Sequence, residues 1–518
     1  MMAKRSWMMA LGLSLGLCGV LGCGGDGDGD GRDDVGVNED VGGEDAGDVG
    51  GEDGGDVGGE DDGGEDSGDV GGGELGVEVA GIPEGKTYFR SVSEVVVSCE
   101  ESCEIACGLS LDGGAVEAVT CAEGEAFALE GLAYGAYRFE VSSGETVVAE
   151  RSFEVHPPEW AQVSGGEGFS CAVLQDGHLV CFGAGEAGQL GDGGAVSRLE
   201  PVVVAGRWAE VDAGGMHACA IAEDGALYCW GSSPSGALGL GAEAEELVAA
   251  PEQVGEARDW LKVSAGATHS CGIRQGGALY CWGDNARGAV GVGNGEDVLA
   301  EPAPVEVAGV TGWLDVSAGE GFSCALTAEG ALYCWGRTDA GVTGANNTDV
   351  YEPRAYEGAL SALSLSAGSS HACGVVDLDA DDDVYCWGDG AMYKLGTGET
   401  RREVSPSPRA PGATSLVSVV SGRTFTCGLT VDGALHCWGD NARGQLGYDP
   451  TLVGEMVYPA PVGEESWEVV ASGAQHICGV KLDDKSLWCW GDNSQGQLGV
   501  GVAGEDAVSD AQPVVWPY

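Results

Sequence analysis

SAGATHSCGIRQGGALYCWGDNARG, residues Ser264 to Gly288, holds a small-residue Gly turn, a Cys, an apolar run, a turn pair, a second apolar run and Cys-Trp-Gly. Related stretches recur through the last two-thirds of the 518-residue chain. Each carries two cysteines: Cys171 and Cys181, Cys219 and Cys229, Cys271 and Cys281, Cys324 and Cys334, Cys373 and Cys386, Cys427 and Cys437, Cys478 and Cys489. The first cysteines of successive units are 48 to 54 residues apart. A period of that length fits one propeller blade per repeat, and seven repeats imply seven blades.

In five units the cysteines are ten residues apart and a glycine stands six after the first: Gly177, Gly225, Gly277, Gly330 and Gly433. A three-residue hairpin loop ending in a left-handed glycine suits this spacing. The hairpin centre then falls five residues after the first Cys, so the two cysteines face each other on adjacent strands. They would take a non-hydrogen-bonded position, where Cα atoms are about 4.5 Å apart and a disulfide can form. A two-residue loop would slip the register and turn the sulfurs to opposite faces. One disulfide per blade is expected, each closing about ten residues and contributing about 2–3 kcal/mol. Redox or metal chemistry needs closely spaced or low-pKa thiols, which this pattern lacks.

Two units depart from the spacing. The seventh separates its cysteines by 11, with Asp483-Asp484-Lys485 in the turn, and the fifth by 13, with VDLDADDDV between them. There Asp377, Asp379, Asp381 and Asp383 alternate as calcium ligands do when oxygen donors at every second position converge on one ion. The glycine and terminal Glu of the full calcium loop are missing, so a solvated acidic hairpin tip is the plainer reading and calcium the alternative.

A Trp follows the second Cys in six units (Trp230, Trp282, Trp335, Trp387, Trp438, Trp490), with Phe182 in the first. Five units open on another: Trp160, Trp208, Trp260, Trp313 and Trp467. Aromatics recurring once per blade are expected between neighbouring blades, with carbohydrate stacking the alternative for an exposed ring. Two residues before the first Cys stands Phe169, His217, His269, Phe322, His371, Phe425 or His476. Four histidines on a ring could suggest a metal, but Phe at the same place in the other blades favours a core role.

The formal charge of −61, from 84 acidic and 23 basic residues, speaks against a nucleic-acid partner, because phosphate binding needs clustered Lys and Arg. Twenty recurrently spaced cysteines point to an oxidising compartment. Lys4 and Arg5 precede an apolar run from Trp7 to Leu21 that is too short for a membrane span, so residues 1–22 read as a signal peptide. Val20-Leu21-Gly22-Cys23 resembles the lipobox of bacterial lipoproteins, which implies lipid on Cys23; an ordinary secretory cleavage nearby is the alternative. Each buried methylene of such a lipid adds about 0.8 kcal/mol of anchoring. Gly24 and Gly25, where Asp would resemble an inner-membrane retention signal, favour the outer membrane. Residues 23–74 then form an acidic, Gly-rich linker, with 20 acidic residues and Arg32 as its one basic residue. It cannot bury enough apolar surface to offset ordering and reads as a disordered, self-repelling spacer. Beyond Glu74 the chain still carries −44.

Residues 75–157 alternate with a period of two in TYFRSVSEVVVSC, AVEAVTC, YGAYRFEVSS and ETVVAERSFEV, which suggests a small β-sandwich. CGLSLDGG followed by LEGLAYGAYRFEVSS resembles bacterial immunoglobulin-like modules. That resemblance implies a Cys107–Cys121 bridge and leaves Cys99 with Cys103; the sequence itself allows three pairings. A zinc site from the same four cysteines is the sharper reading, which export makes the weaker one. The propeller occupies 158–518, and the fold class is all-β.

Gly-x-x-His-x-Cys, Asp-Gly, Cys-Trp-Gly-Asp-Asn and Gly-Gln-Leu-Gly, fullest in WGDNARGQLG (Trp438 to Gly447) and WGDNSQGQLG (Trp490 to Gly499), resemble the regulator of chromosome condensation repeat. The resemblance covers about residues 160 to 518 and implies a seven-bladed propeller with a closing strand near Pro513 to Trp516. Nucleotide exchange on a nuclear GTPase, the family's best-known activity, does not suit an exported acidic chain. Bacterial members suggest a binding scaffold. The expectation is a non-enzymatic, surface-tethered lipoprotein that binds an extracellular or periplasmic protein, with no nucleic acid and no nuclear GTPase. Recognition is expected on the variable loops Glu243 to Pro251, Gly293 to Pro302, Tyr393 to Pro411 and Tyr448 to Pro459. An envelope component and a channel-sited hydrolase are the alternatives, the latter without a nucleophile elbow, zinc-binding His motif or phosphate loop.

Overall fold

A computed structural model describes residues 77–516, apart from 81–84, 88–91, 100–104, 123, 130–131, 145, 294–296, 346–347, 357–361, 377–382 and 409–415. The signal peptide 1–22, Cys23, the linker 23–74, Cys103, Asp377, Asp379 and Asp381 lie outside the described residues, as do the side chains of Cys99 and Asp383. Among the described residues every regular element is a strand except one 3-10 turn, Ala391–Tyr393.

The first sheet pair is a sandwich. Val77–Ala80, Val92–Cys99 and Ala126–Leu129 form three strands; Gly85–Thr87, Thr146–Val155, Gly135–Ser143, Ala106–Leu111 and Glu117–Val119 form five. The period-two alternation turns Val95, Val97, Phe139, Val141, Phe153 and Val155 into one core, with Tyr137 stacked on Phe153 at 5.2 Å. The Cys107 and Cys121 sulfurs stand 2.10 Å apart, and Cys99 lies in the three-stranded sheet opposite Val77.

From Trp160 onward the chain makes seven antiparallel four-stranded blades from consecutive strands. The third blade shows the plan: inner strand Trp260–Ala265, second strand His269–Arg274, third strand Ala278–Asp284 and outer strand Ala300–Glu306. The sixth and seventh blades share the strand Glu455–Ser472, whose first part is outer and second part inner. The last outer strand ends at Pro513, so residues 514–516 are not strand, and the expected closing strand near Trp516 stops short. A ring contact and a backbone bond close the ring instead: Trp516 sits edge-on to Trp160 at 5.5 Å, and Trp160 N donates to Lys485 O.

The hairpin between second and third strands explains the cysteine spacing. In the first blade Leu174 N donates to His178 O, and Gly177 takes φ 84°, which favours a residue without Cβ. Cys171 then pairs with Cys181 in register, and all seven pairs stand opposite each other with Cα atoms 4.0–4.1 Å apart and sulfurs at bonding distance. Each disulfide faces the next blade. Cys271 and Cys281, for example, share a core with Trp313, Val316, Ala325 and Trp335 of the fourth.

The Trp after the second Cys is the seam residue. Its indole reaches back one blade and donates to the carbonyl at the Gln position of the Gly-Gln-Leu-Gly loop: Trp230 to Gln189 (2.9 Å), Trp282 to Ala237 (2.8 Å), Trp335 to Ala289 (2.8 Å), Trp387 to Val342 (3.0 Å), Trp438 to Lys394 (2.9 Å) and Trp490 to Gln445 (3.2 Å). All six indoles are buried, so none offers a stacking platform for carbohydrate. A glycine before each second strand lets neighbouring backbones meet. A Cβ on Gly266 would lie 2.6 Å from Gly319 O of the next blade.

Each outer strand is the edge of its sheet, and all seven carry proline: Pro201, Pro251, Pro302, Pro353, Pro406, Pro459 and Pro513. Proline lacks the N–H that would recruit another strand, which protects the edges from pairing with a second chain.

Removing the third-blade bridge by Cys271→Ala with Cys281→Ala should lower stability by about 2–3 kcal/mol, measured as a shift of the urea midpoint. Gly266→Ala should cost at least as much, because backbone rather than a flexible side chain must give way.

Candidate interaction surface

The histidine ring is a set of hydrogen bonds, not a metal site. His217 Nε2 pairs with Ser270 Oγ (2.8 Å), His269 with Ser323 (2.8 Å), His371 with Thr426 (2.8 Å) and His476 with Ser170 (2.7 Å), always one blade further on. Each hydroxyl donates to a backbone carbonyl: Ser270 to Ala237, Ser323 to Ala289, Thr426 to Lys394 and Ser170 to Gln497. It therefore accepts from the imidazole, which must carry its proton on Nε2. Where the position is Phe, the residue one blade on is apolar. Phe169 is followed by Ala218, Phe322 by Ala372 and Phe425 by Ile477, in the place of the hydroxyl. Sequence reading of one repeat at a time missed this pairing; comparing each His or Phe with the residue before Cys in the following repeat would have found it.

Burial removes water from these imidazoles and holds them neutral. His217, His269 and His476 are lowered to about 4 and His371 to about 3, with desolvation the main cause in each. Among the described residues no group of three or more His, Cys, Asp or Glu is arranged to hold a metal ion.

The seven inner strands surround the propeller axis and are stitched by short polar side chains. Ala213 N donates to Ser164 Oγ (3.0 Å), Ala265 N to Asp212 Oδ2 (2.8 Å), Ala318 N to Ser264 Oγ (3.1 Å), Ala367 N to Ser317 Oγ (2.9 Å) and Ser421 N to Ser366 Oγ (2.9 Å). Blades two to four add charge at the axis, with Lys262 Nζ 2.5 Å from Asp315 Oδ1 and Glu210 beside them. Burial pushes the Glu210 carboxyl up to about 8, against the pull of Lys262. Asp212 also accepts from Ser164 Oγ (2.7 Å), so both its oxygens are committed.

Loops differ sharply between the two ends of the propeller. At one end lie the second-to-third hairpins and the short links between blades. The links are clipped down by bonds such as Trp313 N to Gly277 O and Trp467 N to Gly433 O. At the other end emerge the inner-to-second turns and the long third-to-outer loops, held together by bonds such as Asp284 N to Thr268 O. Among the described residues, the four variable loops singled out in the sequence belong to this second end or run from it into the outer strands. In the third, sixth and seventh blades the Asn of Trp-Gly-Asp-Asn ties the loop base: Asn285 Nδ2 donates to Val298 O (3.1 Å), Asn441 to Tyr448 O (2.8 Å) and Asn493 to Val502 O (2.8 Å). The bases are rigid and the tips free to differ.

With that architecture in view, the repeats place the chain in a known class. It is a propeller built from the regulator of chromosome condensation (RCC1) repeat, matched at residues 160–189, 208–237, 260–289, 313–341, 416–445 and 469–497. A second description of the same repeat matches 176–221, 224–273, 276–326, 381–429 and 432–480, and the chain belongs to this family. Residues 342–380 fall outside both; they run from the end of the fourth blade into the fifth, where the opening Trp is absent and the cysteines are 13 apart.

The ultraviolet-B receptor UVR8 of Arabidopsis thaliana is 28% identical over 347 residues, 65% of this chain and 66% of the receptor. The E3 ubiquitin-protein ligase HERC2 of Mus musculus is 29% identical over 348 residues, 66% of this chain but 6% of the ligase. Among solved structures, yeast RCC1 (Prp20) bound to Kap60 superposes with a TM-score of 0.59 at 17% identity, covering 68% of this chain and 85% of that one. Human WBSCR16 gives 0.59 at 19% identity, covering 66% and 95%.

The neutral histidines make stability depend on pH with a defined sign. The folded state refuses protons that the unfolded chain takes up below its imidazole pKa of 6.5. Stability is therefore lost as pH falls from about 6.5 to about 4, by about 1.4 kcal/mol per pH unit for each histidine. Replacing one pair by its natural apolar counterpart, His269→Phe with Ser323→Ala, should reduce proton uptake on unfolding at pH 5.5 by close to one. The readout is the slope of stability against pH.

Proposed function

We propose that this protein is a non-enzymatic binding scaffold, held to the cell envelope by lipid on Cys23, that engages a protein partner through the long-loop end of its propeller. The observation that carries the reading is the concentration of long, dissimilar loops at one end of a rigid repeated frame, where recognition usually sits. Structural neighbours support protein binding in general: Prp20p of Saccharomyces cerevisiae has binding properties to Gsp1p and histones, and yeast RCC1 was solved bound to Kap60. Neither partner is carried over, because this chain is strongly acidic. The partner is an extracellular or periplasmic protein, and the linker spaces the propeller from an outer membrane.

Intact cells should be treated with protease and the released fragment identified by mass spectrometry. Cutting within 24–74 should release the propeller, and crosslinking before the cut should retain a partner on the long-loop end. Protection until the outer membrane is opened would move the partner to the periplasm. Crosslinks joining only copies of this chain in an array would favour an envelope component instead. Cys23→Ala should abolish incorporation of a palmitate analogue and free the chain from the membrane fraction.

A further inference from the structure

Two clefts flank the loop Glu243–Glu246 at the long-loop end of the second blade. One, of about 610 Å³, runs between Gly193 of the first blade and the outer strand Leu247–Gln253, floored by Leu247, Val248, Ala249, Ala250 and Pro251. The other, of about 350 Å³, continues on the far side of the same loop to Ala300 and Pro302 of the third blade. Leu247 is 43% exposed, and along the same rim Val196, Leu299 and Val502 are 59%, 65% and 62% exposed. Glu243, Glu245, Glu246 and Glu252 stand over this apolar floor, and none makes an ion pair among the described residues. No Lys or Arg lines either cleft.

We propose that this double cleft is the docking site for a basic segment of the partner protein, an extended stretch in which apolar side chains alternate with Lys or Arg. The argument rests on the scaffold reading and adds the address and the chemistry. Open, shallow clefts with an aliphatic floor suit side chains of a peptide rather than an enclosed small molecule. Unpaired carboxylates on the rim supply charge complementarity, and an excess of acid over the whole body steers basic partners toward it. A second copy of this chain is the wrong occupant, since it brings the same negative charge. The bulged outer strand also holds the cleft floor in place: Gly193 N donates to Ala249 O, so the first blade's loop fixes one wall.

The test uses the full-length mature chain and fluorescein-labelled peptides of about ten residues, at about 0.15 M salt, read by anisotropy. The probes are an alternating Lys–Leu peptide, a Lys–Ser peptide of equal charge and a Glu–Leu peptide. The Lys–Leu peptide should bind at least about tenfold more tightly than the other two. Glu243→Gln, Glu245→Gln and Glu246→Gln together, and Leu247→Ser alone, should each weaken it by about tenfold or more. Glu306→Gln, Glu329→Gln and Glu352→Gln remove equal charge from other places and should leave it within about twofold. Equal loss in both triple variants, or equal binding of Lys–Ser, overturns the cleft and leaves only bulk charge. If a partner crosslinks to other blades and the cleft variants still capture it, the cleft fails while the scaffold reading stands. If no partner crosslinks at all, the scaffold reading itself fails, whatever the peptides do.

Discussion

Seven blades close into a ring only if the seams match in width, and at six of the seven a buried indole hydrogen bond holds that width; at the seventh, Phe182 takes the place of the Trp and Ser170 Oγ donates to Gln497 O. The indole of the Cys-Trp-Gly motif spans the seam and donates to a carbonyl in the preceding blade at 2.8–3.2 Å. In the dry seam an unpaired indole N–H or carbonyl would cost about 1–3 kcal/mol, so geometry there is tightly held. The carbonyl belongs to the base of the long loop that follows the third strand. One contact therefore serves two ends, joining the blades and fixing the root of the long-loop surface.

Around that seam the side chains divide into two kinds of matched pair. A histidine faces a hydroxyl, or a phenylalanine faces Ala or Ile, and the polar and apolar versions are not mixed. Mixing them would leave a buried imidazole N–H without an acceptor or a hydroxyl against a ring face, each unfavourable in a medium that cannot hydrate them. The pairs thus help specify which blade follows which. They also keep the imidazoles neutral, which couples the whole ring to acid. The disulfides reinforce single hairpins and do not cross seams, so the closure of the ring depends on packing and hydrogen bonds rather than on covalent links.

Rigidity of this kind suits a scaffold. Proline shields the outer edges, glycines let inner turns touch, and the axis is stitched by serines whose hydroxyls meet the next strand's backbone. Charge is distributed unevenly over the long-loop end. Arg198, Arg287, Arg337, Lys394, Arg401, Arg423 and Arg443 each pair with an acid, whereas Glu243, Glu245, Glu246 and Glu252 of the second blade stand beside exposed Leu247 without an ion pair among the described residues.

Much of the frame was legible from local pattern. The recurring Cys pairs counted the blades, and ten-residue spacing with a glycine at the turn is enough to read hairpin register, because both depend on neighbours in sequence. Alternation with period two announced the sandwich for the same reason. Relations across the seam were not legible in one repeat: that His269 meets Ser323, or that Trp282 meets Ala237 O, follows from which blade stands next to which. Glu210, Lys262 and Asp315 stand about fifty positions apart in the chain and meet at one axis only because three inner strands bring them there. So the sequence by itself determined the repeat, its strands and its turns, through short-range sterics and hydrophobic period. Only the tertiary structure decided the seams, the axis and the cleft beside Leu247, because those depend on ring closure bringing together residues about fifty or more positions apart in the chain.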